Sequence, residues 1–131
     1  MTSNSSSFRS PLGRVRGLGS AKGGTHHWWL QRLTAIALIP LTMWLVASIV
    51  TLSGASYDAF ILWFGQPANA TVMILFLGVA FHHAQLGMQV VIEDYVSRHA
   101  WRVTLNVLVK FACYGLATLT IVSILTIAFG A

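Results

Sequence analysis

Two adjacent histidines, His82 and His83, stand about halfway between Pro67 and Glu93, within a run of 34 residues after Asp58 that contains no Asp, Glu, Lys or Arg. Ionisable groups deep in such a segment are costly and tend to mark function. An imidazole there has two main uses: it can hydrogen-bond a neighbouring helix, or it can offer a neutral ring nitrogen to a metal. At 3.6 residues per turn, His83, Gly87 and Asp94 fall at i, i+4 and i+11, nearly on one face. A glycine one turn from a histidine removes side-chain bulk where a flat ring could lie against the helix. A dry apolar site with an imidazole and space beside it suits haem iron. His82 points about 100° away, so the two histidines cannot both ligate one iron. The Gly-bearing face favours His83.

A six-coordinate electron-transfer haem takes two axial ligands. The remaining histidines, His26, His27 and His99, lie near the ends of the apolar runs, too far from the depth of His83 to reach the same iron from its other side. Haem binding by this chain therefore demands a second chain.

Two further clusters carry double readings. In His26-His27-Trp28-Trp29-Leu30-Gln31-Arg32 the tryptophans suit a membrane-interface anchor. His26 and Arg32 also suit the acidic propionates of a haem, since the Arg fork matches carboxylates. Asp94-Tyr95 lies about 16 Å along the helix from His83 at 1.5 Å per residue. It reads either as a helix end with an interfacial Tyr and a solvated acid pair, or as a quinone site. In the second reading the Tyr hydroxyl donates to a quinone carbonyl, and the acid orients the Tyr or passes protons. Arg98 and Arg102 read as markers of the phospholipid headgroup layer.

These residues need elements deep enough to hold them. The chain of 131 residues is 56% hydrophobic and 8% charged, with mean hydropathy +0.71. A soluble domain carries about 25% charged residues, which excludes that class. The net charge is +5 and the pI about 10.2. The basic residues are too few and too dispersed for a nucleic-acid face. Charge-free runs of 25 residues after Arg32, 34 after Asp58 and 21 after Lys110 each match the roughly 20 apolar residues a spanning helix needs. They predict an all-α integral membrane protein with spans over about 32–53, 68–92 and 103–129. Residues 1–31 form a tail and interfacial segment, and 32–131 form the anchor domain. Gly54, Ser56 and Asp58 end the first run and Pro67 opens the second. The aromatic stretch 57–64 is too short to span and suits the interface.

Arg9, Arg14, Arg16, Lys22 and Arg32 precede the first span, Arg98 and Arg102 follow the second, and the 53–67 loop has no Lys or Arg. The positive-inside rule puts the N-terminus and the second loop in the cytoplasm or an organelle matrix. Trp28, Trp29 and Trp101 then form an inner aromatic belt. The first 24 residues lack acidic groups and are rich in Ser, Gly and Arg, as in either a flexible cytoplasmic tail or a transit peptide. Cys113, the single cysteine, excludes an internal disulfide and reads as an inert apolar thiol. Asn69-Ala70-Thr71 fits a glycosylation sequon but abuts a span.

The segment from His83 through Gly87-Met88 to Asp94-Tyr95 resembles the H-x-x-x-G-M…D-Y signature of the small haem-b hydrophobic membrane anchors of succinate dehydrogenase, respiratory complex II. The His-to-Tyr spacing of twelve matches that family. Arg32-Leu33-Thr34-Ala35 is similar to the R-x-T-A at the start of its first helix, with His26 six residues earlier. The resemblance implies that His83 is one axial ligand of haem b, and that a partner anchor of the cytochrome b556 type supplies the other and packs with this chain into a helical bundle. It implies that Tyr95 hydrogen-bonds ubiquinone with support from Asp94, and that His26 and Arg32 lie near the propionates. The flavoprotein and iron–sulfur subunits would dock on the cytoplasmic face. Succinate would be oxidised in those subunits, and its electrons would reach ubiquinone through flavin and iron–sulfur clusters. The implied location is a bacterial inner membrane ahead of a mitochondrial one. The competing readings are a fumarate reductase anchor, a haem-free scaffold and a small transporter. The last usually needs an intramembrane carboxylate, whereas Asp58, Glu93 and Asp94 fall at span ends.

Overall fold

The computed structural model of the chain describes residues 24–130. It contains four helices and, among the described residues, no strand: α1 (Gly24–Leu52), α2 (Tyr57–Gly65), α3 (Pro67–Tyr95) and α4 (His99–Phe129). Three of them, α1, α3 and α4, are long and apolar enough to cross a membrane, with mean hydropathies of 2.2, 1.4 and 2.0 over their most apolar windows. The all-α, three-span architecture expected from the charge-free runs is the one observed, with the 57–64 stretch folded as the short helix α2.

The helices run past the expected limits, mostly at their N-terminal ends. α1 starts at Gly24 instead of near 32, and α4 at His99 instead of near 103. Charges bound the hydrocarbon layer but do not stop a helix: His, Gln and Arg are acceptable helical residues, and nothing between Gly24 and Leu52 except Pro40 opposes the ladder. At 29 to 31 residues each long helix measures about 44–46 Å, against a hydrocarbon core of about 30 Å. The excess turns carry the polar residues into the interface.

The connections are short and locally determined. The chain leaves α1 through Gly54 at φ +81°, in the left-handed region that glycine tolerates. Ser56 caps α2 by accepting from the Ala59 amide at 3.3 Å. Pro67 occupies the first turn of α3, where no amide partner is lost. Asn69 Nδ2 donates to the Trp63 carbonyl at 3.0 Å, so the sequon asparagine ties the end of α2 to the first turn of α3. Arg102 Nε donates to the Val96 carbonyl at 3.1 Å, pinning the α3–α4 turn.

α3 is the central element. It packs on α1 and on α4, and α2 touches both α3 and α4, with no comparable contact between α1 and α4 among the described residues. A core of Phe64, Ala70 and Ile124, flanked by Trp63, Met73, Ile74 and Leu77, joins α2, α3 and α4 at one end. Trp44 stacks on Trp63 with centroids 5.6 Å apart and ties α1 to α2. Elsewhere the helices are thinly covered. Ile36, Ile39, Met43 and Val50 of α1 and Phe111, Leu119 and Val122 of α4 all present apolar surface outward, as side chains facing lipid or other helices do.

Candidate functional site

α1 carries His27, Gln31 and Thr34 at i, i+4 and i+7, a polar stripe along one face. The stripe faces α3. The Thr34 hydroxyl lies 2.8 Å from His83 Nδ1. The same hydroxyl is 2.7 Å from the Leu30 carbonyl and 3.1 Å from that of Gln31, the back-bonding geometry of a helical Thr. One turn along α3, a Cβ placed on Gly87 would stand 3.7 Å from Gln31 Nε2. The surface beside Gly87, read from sequence as room for a flat ring, is thus met in this chain by the end of a flexible side chain on α1.

The two histidines separate as the helical angle requires. His83 turns to α1. His82 turns to α4, where the Tyr114 hydroxyl lies 3.5 Å from its Nδ1, at the long limit of a hydrogen bond. His83 has the short, well-formed partner of the two. With Nδ1 engaged, Nε2 is the ring nitrogen left for a group outside the chain.

Two of the buried polar atoms without a partner, His27 Nε2 and Gln31 Oε1, belong to the α1 stripe; Asn106 Oδ1 on α4 is a third. Buried polar atoms are seldom left unpaired, so two orphans on one stripe with the Thr34–His83 pair point to something completing the site. Among the described residues no three His, Cys, Asp or Glu side chains gather into a metal cage. A single mid-helix imidazole with one committed nitrogen and its other nitrogen free fits a haem held jointly with another chain.

The other expected site residues stand apart from this seam. His26 and Arg32 are on α1, and six residues of helix set them about 120° apart, both off the stripe. Arg32 instead lies over the Trp28 ring at 5.2 Å, a cation–π contact. Because α1 includes Gly24 to Leu52, His26 is fixed to a helical face, and His27 shares the face of Gln31 and Thr34. Asp94 and Tyr95 close α3, and Tyr95 is 85% exposed. Tyr95, Val96, Arg98, Trp101 and Leu105 line an open depression of about 350 Å³ at the α3–α4 turn. Trp28 and Trp29 pack edge to face at 5.2 Å and are exposed, as an interfacial pair should be.

Thr34 and Gln31 were not legible as site residues from spacing alone, although Thr34 stands inside the R-x-T-A similarity. The signal that reveals them is the polar i, i+4, i+7 stripe. A second polar row was missed as well. Gln85, only 3% exposed, donates to Gln89 at 3.3 Å, and Gln89 donates to Glu93 at 2.8 Å. This row climbs α3 from mid-span to its charged end.

Residues 6–123 match the family described as succinate dehydrogenase/fumarate reductase transmembrane subunit. The chain is 37% identical over 107 residues to the succinate dehydrogenase hydrophobic membrane anchor subunit of Rickettsia conorii, covering 81% of this chain and 85% of that one. It is 40% identical over 124 residues to the protein of the same name from Rickettsia bellii, covering 93% and 94%. The Rickettsia typhi counterpart is 33% identical over 122 residues, again covering 93% and 94%. With three apolar helices and these bacterial relatives, the chain is a multi-pass protein of a bacterial inner membrane. A match across most of its length and relatives of this similarity show that the chain belongs to the succinate dehydrogenase/fumarate reductase transmembrane subunit family.

Proposed function

We propose that this membrane anchor subunit supplies one ligand, His83, to a haem b shared with a second anchor of the cytochrome b556 type, and contributes Tyr95 and Asp94 to a ubiquinone site. The observation that carries the proposal is the placement of His83. It sits near the middle of the central helix, its Nδ1 held by Thr34 at 2.8 Å, one turn from Gly87, whose face is met by the flexible end of Gln31. When bound, the haem supplies a one-electron carrier within the membrane. The chain's own residues position and enclose it: α1 and α3 hold the imidazole, and the apolar faces exclude water.

The quinone role rests on Tyr95. Its hydroxyl leaves the chain at the end of α3, 85% exposed beside the depression lined by Arg98 and Trp101. There it can donate to a quinone carbonyl at the membrane edge, with Asp94 adjacent to orient it or pass a proton. His26 and Arg32 belong to the proposal as propionate partners approached from the faces of α1 that lie off the stripe, the side on which a second anchor would pack.

The positive-inside pattern supports a cytoplasmic tail over 1–31, with the membrane domain over 32–131. The α3–α4 turn then faces the cytoplasm, where the iron–sulfur and flavoprotein subunits dock and succinate is oxidised. The test is His83→Ala in the complex isolated through this chain. Loss of the b-type band with the partner subunits still present supports the assignment, and an unchanged band overturns it.

A further inference from the structure

Resting on the assignment of His83 as a haem ligand, the geometry points to Thr34 as the positioning residue that fixes the His83 ring in the tautomer a metal needs. A hydroxyl has one proton and two lone pairs. The 2.7 Å contact from Thr34 Oγ1 to the Leu30 carbonyl takes that proton, since a carbonyl can only accept. The 2.8 Å contact with His83 Nδ1 is then made by a Thr34 lone pair, so the ring nitrogen carries the hydrogen and donates. A neutral imidazole has one N–H, so Nε2 keeps its lone pair free for iron. The α1 backbone thereby sets the protonation pattern of a side chain on α3, through a single hydroxyl.

The arrangement has two further consequences. A ligating imidazole that donates its second N–H is held in ring orientation and made more basic. A more basic ligand favours the oxidised metal, so the Thr34 bond lowers the haem potential. The pair also locks the register of α1 on α3, because Thr34 and His83 are 49 positions apart in the chain. His82 does not share the device. Its Nδ1 faces a Tyr hydroxyl at 3.5 Å, and a hydroxyl with no carbonyl claiming its proton can donate or accept, so no tautomer is imposed.

The test uses the whole complex purified through this chain, carrying Thr34→Val or Thr34→Ser. Valine keeps the shape and removes the acceptor, while serine keeps the acceptor. Haem midpoint potential and haem transfer to excess apomyoglobin are measured in both. The expected result is a potential shifted upward and haem retention weakened about 10- to 100-fold in Thr34→Val, with Thr34→Ser restoring both. Unchanged potential and retention in Thr34→Val would overturn the inference, as would equal shifts in Val and Ser variants. If Thr34→Val does not assemble, proton NMR of the reduced wild-type complex decides: a His83 Nδ1 proton shifted downfield as a hydrogen-bonded donor sustains the inference, and one at the position of an unbonded ring N–H overturns it. His83→Ala in parallel separates the two layers. Haem retained there sinks the ligand assignment, whereas haem lost there with an unresponsive Thr34→Val sinks only the role of Thr34.

Discussion

Thr34 on α1 and His83 on α3 meet at 2.8 Å across the seam between the two helices. The contact joins the polar stripe of α1 to the mid-span histidine of the central helix, with Gln31 against Gly87 one turn away. The packing between α1 and α3 and the positioning of the candidate ligand are therefore the same piece of structure, and disturbing one should disturb the other.

Gly87 gives a direct check of that coupling. A Cβ there makes only ordinary contact with Gln31 Nε2 at 3.7 Å, so Gly87→Ala should assemble and bind haem as the wild type does. Gly87→Leu places a branched side chain into the seam and must displace Gln31 or α1. Overpacking of this kind costs about 1–3 kcal/mol. The expected outcome is a lower thermal midpoint of the detergent-solubilised complex and a broadened haem spectrum. A Leu variant that matches Ala in both would show that the seam is open.

The histidine doublet predicts unequal phenotypes. His82→Ala removes only a 3.5 Å contact with Tyr114 and should keep the haem band, with at most about 1 kcal/mol of lost stability. His83→Ala should abolish the band. Haem content of the two purified variants, measured side by side, decides, and the reverse pattern would move the ligand to His82.

Tyr95→Phe removes one exposed hydroxyl and nothing the fold uses, since Tyr95 is 85% exposed. Losing one hydrogen bond to the quinone, worth about 1 kcal/mol, should lower succinate–quinone reductase activity by roughly tenfold at most. Succinate-dependent reduction of a soluble dye should persist, because the proposal places succinate oxidation in other subunits. Equal loss of both activities would indicate damage to subunit docking instead.

Asn69→Ala tests the α2–α3 junction independently of the site. The variant loses the 3.0 Å bond to the Trp63 carbonyl, and a lost hydrogen bond costs about 0.5–1.5 kcal/mol. Thermal stability of the complex should fall slightly with an unaltered haem spectrum. A changed spectrum would mean that strain at this junction travels along α3.

The sequence was informative wherever one physical rule acts alone. Charge-free length set the three spans, because lipid admits only helices of that length and composition. Helical period separated His82 from His83. The same reasoning misjudged the ends: charges at Arg32 and Arg102 mark the edge of the hydrocarbon, while the helices continue to Gly24 and His99. Within that extension His27, and not His26, shares a helical face with Gln31 and Thr34. Thr34 lay beyond reach because its importance is a contact between positions 49 apart, and helix pairing is not written in the period of either helix. The row from Gln85 to Glu93, buried only at Gln85, was passed over for a related reason: glutamine is uncharged, so a search built on charge gaps does not register it.

The central claim is that this anchor carries half of a haem site through His83. Its most direct test is a dithionite-reduced minus oxidised spectrum of the complex isolated through this chain, wild type beside His83→Ala. A sharp b-type α band in the wild type, gone in the variant while the partner subunits still co-purify, is the predicted result. An equally strong band in His83→Ala, or no band in an intact wild-type complex, would contradict it.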